Sequence, residues 1–172
     1  MADFLRALPP PSEDLTVIDD TIIDAAVRYS RTSPRKRVMQ PLHKRPEEPL
    51  QRMLNAMQPG SYARPHRHAD PRNWEVCIVL RGKLLFIAFH DDGRVKTSVE
   101  LAAGSSRLGV DLEPGAYHTT LALVADTVSF EVKHGPYAPD PPSAFAPWAP
   151  AEGDAGVAEY VASLLAAHER RG

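Results

Sequence analysis

The chain has 172 residues, of which 43% are hydrophobic and 24% are charged, a composition typical of one globular domain. The net charge of −2 provides no general attraction to nucleic acid, and a single cysteine excludes an internal disulfide or a cysteine-rich zinc site. Any bound metal must therefore be held by nitrogen and oxygen donors, for which the seven histidines are the first candidates. Without a signal peptide or a long apolar run, we expect a cytoplasmic protein that binds neither membrane nor nucleic acid.

Basic side chains are concentrated in one part of the chain. Between residues 28 and 52 there are eight of them against two acids. A solvated helix end and loop would explain this excess, and so would a site for phosphate or carboxylate. The basic residues are Arg28, Arg31, Arg35, Lys36, Arg37, Lys44, Arg45 and Arg52.

The sequence predicts a helix near each end. Apolar residues recur at helical spacing from Asp20, with Asp19 or Asp20 as the N-cap and Pro34 as the stop signal. Towards the other end, Asp154 is predicted to cap a second helix that packs on the body or on a partner subunit. Its apolar face consists of Val157, Tyr160, Val161, Leu164 and Leu165.

The middle of the chain is typical of an antiparallel sandwich or barrel, because short apolar stretches alternate with turn signals. Strands are predicted near 50–58, 62–68, 74–80, 83–90, 94–101, 116–124 and 127–133. The predicted fold is therefore mainly β, with one helix on each side. The expected parts of this one domain are a tail (1–14), a helix and basic loop (15–48), a barrel (49–136) and a Pro-rich segment with a helix (137–172).

Three histidines and one carboxylate form a candidate metal site. On a strand, His66 and His68 point to the same face about 7 Å apart, while Arg67 points away. Glu75 begins the next apolar strand, and a lone carboxylate facing the interior is costly unless a cation meets it. His118 follows a Pro-Gly turn, early in a later strand. This combination predicts one divalent metal ion.

The motifs around these residues resemble those of the cupin superfamily. Residues 60–82 read G-x5-H-x-H-x6-E-x6-G, and residues 109–118 read G-x4-P-G-x2-H. The usual first motif has three or four residues between the second His and the Glu, so Asp70 competes with Glu75 as the carboxylate ligand. Over residues 33–152 the chain is more closely similar to the WbuC-type cupin-fold metalloproteins. The shared stretches are 33–37, 43, 51–54, 59–68, 80–82, 130–133, 135–137 and 146–150.

The resemblance implies a fold, a cofactor and a class of ligand. The fold is a single cupin barrel, the double-stranded β-helix or jelly roll. The cofactor is one divalent ion, such as Zn, Fe, Ni, Mn or Cu. Imidazole and carboxylate ligands bind all of these metals, so the ligand types do not identify the metal. The family's association with surface-polysaccharide biosynthesis implies a sugar or sugar-phosphate-like ligand. The first hypothesis is a metalloenzyme, such as an isomerase; the alternative is a non-catalytic sensor or scaffold.

Further residues are candidates for ligand binding and catalysis. Glu131 alternates with apolar neighbours on its strand, so it faces either the cavity, as a base or an acceptor for a ligand imidazole, or the solvent. Arg52, His43, Tyr62 and Tyr137 are candidates for binding an anionic or polyol substrate. An edge strand and an amphipathic terminal helix predict a homodimer.

Overall fold

The computed structural model describes residues 5–68, 70, 72–138 and 141–170. Residues 1–4 of the predicted tail and positions 139 and 140 of the Pro-rich segment lie outside this part. The helices are α1 (Asp20–Thr32) and α2 (Val157–Glu169), and a 3₁₀ turn covers Pro142–Ala144. The strands are β1 (Arg37–Pro41), β2 (Leu50–Met57), β3 (Glu75–Arg81), β4 (Lys83–Phe89), β5 (Val95–Ala102), β6 (Gly109–Leu112), β7 (Tyr117–Ala122) and β8 (Thr127–His134).

The strands form two antiparallel sheets. Sheet A has the order β1-β2-β8-β3-β6, and sheet B has the order β5-β4-β7. An isolated bridge between His66 and His118 adds the chain around His66 to the free edge of β7. Apart from β1, the two sheets then have the strand order of a jelly roll. The structure confirms the predicted mainly β, cupin-type barrel with a helix at each end.

The barrel lies between the two helices. Ile23 and Val27 of α1 pack on the outer face of sheet A, against Leu54. Leu164 of α2 packs on the outer face of sheet B, in a cluster with Ile87. A third apolar cluster fills part of the space between the sheets. It contains Met57, Cys77, Val79, Leu84, Phe86, Leu101 and Ala122.

The N-termini of the two helices show which residues act as N-caps. The Asp19 carboxylate accepts hydrogen bonds from the backbone N–H groups of Thr21 and Ile22, which confirms it as the N-cap of α1. The prediction that Asp154 caps α2 is wrong, because Gly156 occupies the N-cap position. The Asp154 carboxylate instead accepts a hydrogen bond from the N–H of Ala151 in the preceding turn. Neither helix is long and apolar enough to cross a membrane, and the described residues contain no other candidate.

The strand predictions fail at three places. Residues 62–68 pair as a strand only at His66, because Pro65 has no N–H to donate to a ladder. Strands β6 and β1 were not predicted, and β1 pairs with β2 from Arg37 onwards. Sheet A therefore begins inside the segment predicted as a basic loop, before the expected barrel start at residue 49. Both missed strands are short edge strands, whose alternation spans too few residues to stand out.

Candidate metal centre

The structure brings His66, His68 and His118 together. One ring nitrogen from each lies within 4.8 Å of the other two. His68 and His118 are buried, whereas His66 is partly exposed. Three imidazoles at this spacing are a donor set that binds Zn²⁺ and other divalent transition metals.

Backbone hydrogen bonds hold the histidine-bearing chain in place. The N–H of His66 donates to the carbonyl of His118 at 3.0 Å, and the N–H of His118 donates back at 2.9 Å. Residues paired in this way present their side chains on the same face. On the other side of this chain, Ala146 donates to the carbonyl of Pro65, and Arg67 donates to the carbonyl of Ala144. The chain is thus fixed between β7 and the Pro-rich segment.

Backbone carbonyl groups fix the tautomer of two of the histidine rings. Nδ1 of His66 lies 3.1 Å from the carbonyl of Arg64, and Nδ1 of His118 lies 3.1 Å from the carbonyl of Ala116. A carbonyl can only accept a hydrogen bond, so each Nδ1 carries the proton and each Nε2 presents a lone pair. This pattern is typical of metal-binding histidines. Phe86 also stacks on His118, with ring centroids 5.7 Å apart.

Glu75 supplies a negative charge beside the imidazoles. Its Oε2 lies 3.1 Å from Nε2 of His68 and 3.8 Å from Nε2 of His118. Burial opposes its ionisation, but the hydrogen bond from His68 and the electrostatic interactions with His118 and Lys133 outweigh this and lower its pKa to about 2. Burial and the proximity of His118 lower the pKa of His66 to about 3. At neutral pH His66 is therefore neutral and Glu75 is a carboxylate, the forms that metal ligation requires.

Asp70, the competing carboxylate, is engaged elsewhere. Its two oxygens accept hydrogen bonds from Nε and Nη2 of Arg72, at 3.0 and 2.7 Å. The structure therefore places Glu75, and not Asp70, against the histidines. Of the six residues between His68 and Glu75, residues 69 and 71 lie outside the described part of the chain.

Glu131 and Lys133 face the barrel interior. In the register of β8 on β3, Glu131 is opposite Cys77 and Lys133 is opposite Glu75. Phe130 points the other way, into the cluster under α1. Of the two orientations considered for Glu131, the structure thus has the inward one. Burial and the nearby charge of Glu75 raise the pKa of Glu131 to about 7, the range of a general acid or base.

Two of the four predicted ligand-binding residues share a cavity. His43 and Tyr137 line a space of about 370 Å³, together with Lys133. We call this space the His43 cavity. Because Lys133 also faces Glu75, the His43 cavity adjoins the charged groups of the metal centre.

The other two predicted ligand-binding residues lie outside the His43 cavity. Arg52 is in register with Val132 on the outer face of sheet A, where its Nη2 pairs with Glu48 at 2.8 Å. Tyr62 is buried, and its hydroxyl donates to the carbonyl of Pro150 at 2.8 Å. Neither side chain is placed against the histidines.

A second cavity was not anticipated from the sequence. It measures about 370 Å³, and His66 forms part of its wall. We call it the arginine pocket, because its charged lining residues are Arg6, Arg35, Arg37, Arg64 and Glu152. The basic cluster at 28–52, for which a solvated helix end and loop or an anion site were both possible, contributes two of the arginines. Arg6 and Arg64 lie outside it and carried no such signal. Lys133 was likewise missed as a partner of Glu75.

Comparisons with known proteins give one family match. Residues 18–101 match a family described as Domain of unknown function (DUF6016). None of the curated proteins compared with the chain matches it.

Among solved structures, the chain is similar to KdgF from Halomonas sp., with 16% identity, a TM-score of 0.48, and coverage of 62% of this chain and 84% of that one. It is also similar to oxalate oxidase in complex with the substrate analogue glycolate, with 17% identity, a TM-score of 0.45, and coverage of 59% and 52%. A third is a variant of the Bacillus subtilis oxalate decarboxylase, with 18% identity, a TM-score of 0.43, and coverage of 53% and 22%. The chain thus spans about half of the oxidase chain and about a fifth of the decarboxylase chain.

The raised pKa of Glu131 predicts a pH-dependent stability of the metal-free protein. Between its ordinary value of 4.5 and about 7, the folded state holds a proton that the unfolded state has lost. This contribution makes the free energy of unfolding fall as the pH rises through that window. Glu131→Gln lacks this contribution. Compared with the wild type, its free energy of unfolding should therefore fall less, or rise more, between pH 5 and pH 8. Urea denaturation with a chelator present measures it.

The matched control is Glu47→Gln, because Glu47 is exposed. It should reproduce the pH dependence of the wild type. If Glu131→Gln does so as well, Glu131 does not titrate in this window.

Proposed function

We propose that this protein binds one divalent metal ion through His66, His68, His118 and Glu75, and uses it to bind a small polar ligand of the sugar or sugar-phosphate type. The observation that carries the proposal is the convergence of three imidazoles, two of them with the Nδ1 proton fixed by a carbonyl. The buried carboxylate of Glu75 supplies the negative charge that would offset part of the charge of the ion.

The donor set fits such an ion on chemical grounds. Nitrogen and carboxylate donors suit Zn, Fe(II), Ni and Mn, and they do not select one of them. When bound, a divalent ion would supply Lewis acidity to ligand oxygens. The protein's own contribution is to orient the imidazoles and to keep Glu75 ionised.

Exposure of the donors indicates where a ligand would approach. His68, His118 and Glu75 are buried and would hold the ion from inside the barrel. His66 is partly exposed and forms part of the wall of the arginine pocket. A ligand that reaches the ion would therefore approach from the side of His66 and the arginine pocket.

Metal content tests the first part of the proposal. The purified protein, supplemented with divalent metals and desalted, is expected to retain about one ion per chain in elemental analysis. The double variant His66→Ala/His68→Ala should lose it, because two of the three imidazoles are gone. His90→Ala removes an exposed hairpin histidine and should retain the ion. Wild-type protein without stoichiometric metal after supplementation would falsify the proposal.

The residues of the barrel interior are suited to an isomerisation reaction. Isomerisation of an aldose to a ketose needs a group that removes the proton from C2 and delivers it to C1, while a proton moves from the C2 hydroxyl to the C1 oxygen. Glu131 faces the interior, and the hydroxyl of Ser129 donates to its Oε1 at 3.1 Å. With its pKa near 7, the Glu131 carboxyl can hold or release a proton at neutral pH. We assign it this role.

Deuterium exchange tests turnover even when the product is unidentified. Metal-loaded protein is incubated with aldose and ketose phosphates in D₂O, and NMR detects deuterium at the carbon beside the carbonyl. Wild type should incorporate it, and Glu131→Gln should be slower by about a hundredfold or more at unchanged metal content. Ligand binding without exchange would instead support the non-catalytic sensor or scaffold.

The similarity to the WbuC-type proteins belongs to the same proposal. The stretches that carry it, 59–68 and 130–133, include His66, His68 and Glu131. A sugar-related ligand follows from that resemblance, and the inward position of Glu131 is consistent with it.

We also propose that the protein is a homodimer. Helix α1 packs over β1 and β2 and leaves the outer face towards the β6 edge of sheet A uncovered. Three apolar side chains near that edge are exposed: Ile78, Leu80 and Leu108. An open sheet edge beside an apolar face favours pairing with a second copy.

Light scattering at micromolar concentration should give the mass of a dimer. Ile78→Asp places a charge on the uncovered face and should shift the mass towards the monomer. Leu15→Asp makes the same type of change at a residue that is 76% exposed elsewhere and should leave the dimer intact. A monomeric wild type would contradict the prediction.

A further inference from the structure

The arginine pocket combines several cations with one carboxylate. Four arginines line it, and Glu152 is the acid among its described lining residues. Glu152 accepts hydrogen bonds from Nη2 of Arg35 at 2.9 Å and from Nη2 of Arg37 at 3.0 Å. The ion pairs among the described residues include neither Arg6 nor Arg64. The pocket therefore keeps an excess of positive charge.

The arginines are held close together by the fold. The side chains of Arg35 and Arg37 are only 18% and 16% exposed, so water screens them poorly. Burial and the neighbouring Arg35 lower the pKa of Arg37 to about 10, which reflects this crowding. Arg64 donates two hydrogen bonds to the carbonyl of Ala146, which fixes its guanidinium in the wall.

Glu152 occupies this pocket as an internal anion. Arginine guanidinium groups bind carboxylate and phosphate through paired N–H donors, and Arg35 already binds Glu152 with two nitrogens. Yet the Glu152 side chain is 39% exposed, and it lies just beyond the Pro-rich segment, outside any helix or strand. A ligand anion entering from solvent would meet the same donors.

We propose that the arginine pocket is the anion subsite of the metal centre, and that it binds the carboxylate or phosphate group of a small ligand in the place that Glu152 holds in the free protein. The inference rests on the proposed function, because His66 connects the pocket to the metal ligands. It narrows the substrate class to a sugar phosphate or a sugar acid. The cavity of about 370 Å³ is in the size range of small-molecule sites.

The experiment separates anion binding from metal binding. Inorganic phosphate is titrated into the metal-free protein at constant ionic strength, and calorimetry measures its affinity. Arg6→Ala and Arg35→Ala should each weaken binding by roughly tenfold, the effect of one charge-assisted hydrogen bond. Glu152→Gln removes the competing carboxylate and should tighten binding. Thermal denaturation verifies that each variant is folded; Arg6 has no ion pair to lose among the described residues.

Asp126→Asn is the matched control for Glu152→Gln. It also neutralises a carboxylate that binds an arginine side chain, Arg31, but this carboxylate is partly buried and lies outside the described lining of the arginine pocket. It should not change phosphate affinity. No phosphate binding by the wild type, or equal affinity of wild type and Glu152→Gln, would overturn the inference and show that Glu152 only anchors its segment.

The nature of the anion is tested on metal-loaded protein. Glucose 6-phosphate, glucuronate and glucose are compared, and at least one anionic sugar should bind at least tenfold more tightly than glucose. The tighter of the two identifies the anion as phosphate or carboxylate, whereas equal binding of all three contradicts the subsite. Elemental analysis of the same samples distinguishes the two failures. Lost anion binding with retained metal rejects this inference alone. Phosphate binding without metal uptake rejects the proposed function and leaves an anion site that is not part of a metal centre.

Discussion

The reciprocal backbone hydrogen bonds between His66 and His118 are the constraint on which the site depends. They attach an extended chain to the edge of β7, so that histidines from distant parts of the sequence share the inner face of the barrel. Pro65 limits the number of ladder bonds that this chain can make. The segment from Ala144 to Ala146 supplies bonds on its other side. A stretch without metal donors thus holds the donors in position.

Two carboxylates on the inner face of sheet A have opposite protonation behaviour. Glu75 is surrounded by His68, His118 and Lys133, which favour its ionised form and lower its pKa. Glu131 is near a negative neighbour and away from water, and its pKa is raised. Groups whose environments separate their pKa values in this way can take different roles in one site. Here one is suited to hold a cation and the other to exchange a proton.

The overall charge of the chain hides a strong local field. The protein has a net charge of −2, yet positive side chains line both the His43 cavity and the arginine pocket, and Arg6 belongs to both linings. Lys133 is on the side of the His43 cavity, and the arginine pocket is on the side of His66. Within low-dielectric walls, such charges attract anions more effectively than the same charges would in water. A chain with a net negative charge can therefore contain a cavity that attracts anions.

The sequence by itself determined the features that depend on local periodicity: the helix that begins near Asp20, the shared face of His66 and His68, and most of the strands. It left the direction of Glu131 open, because alternation alone does not say which face of a strand is covered; the packing of α1 on sheet A decides that. The fold likewise turns Arg52 outwards and gathers four arginines from separated positions around one pocket. These outcomes depend on contacts between distant segments, and only the tertiary structure sets which segments meet.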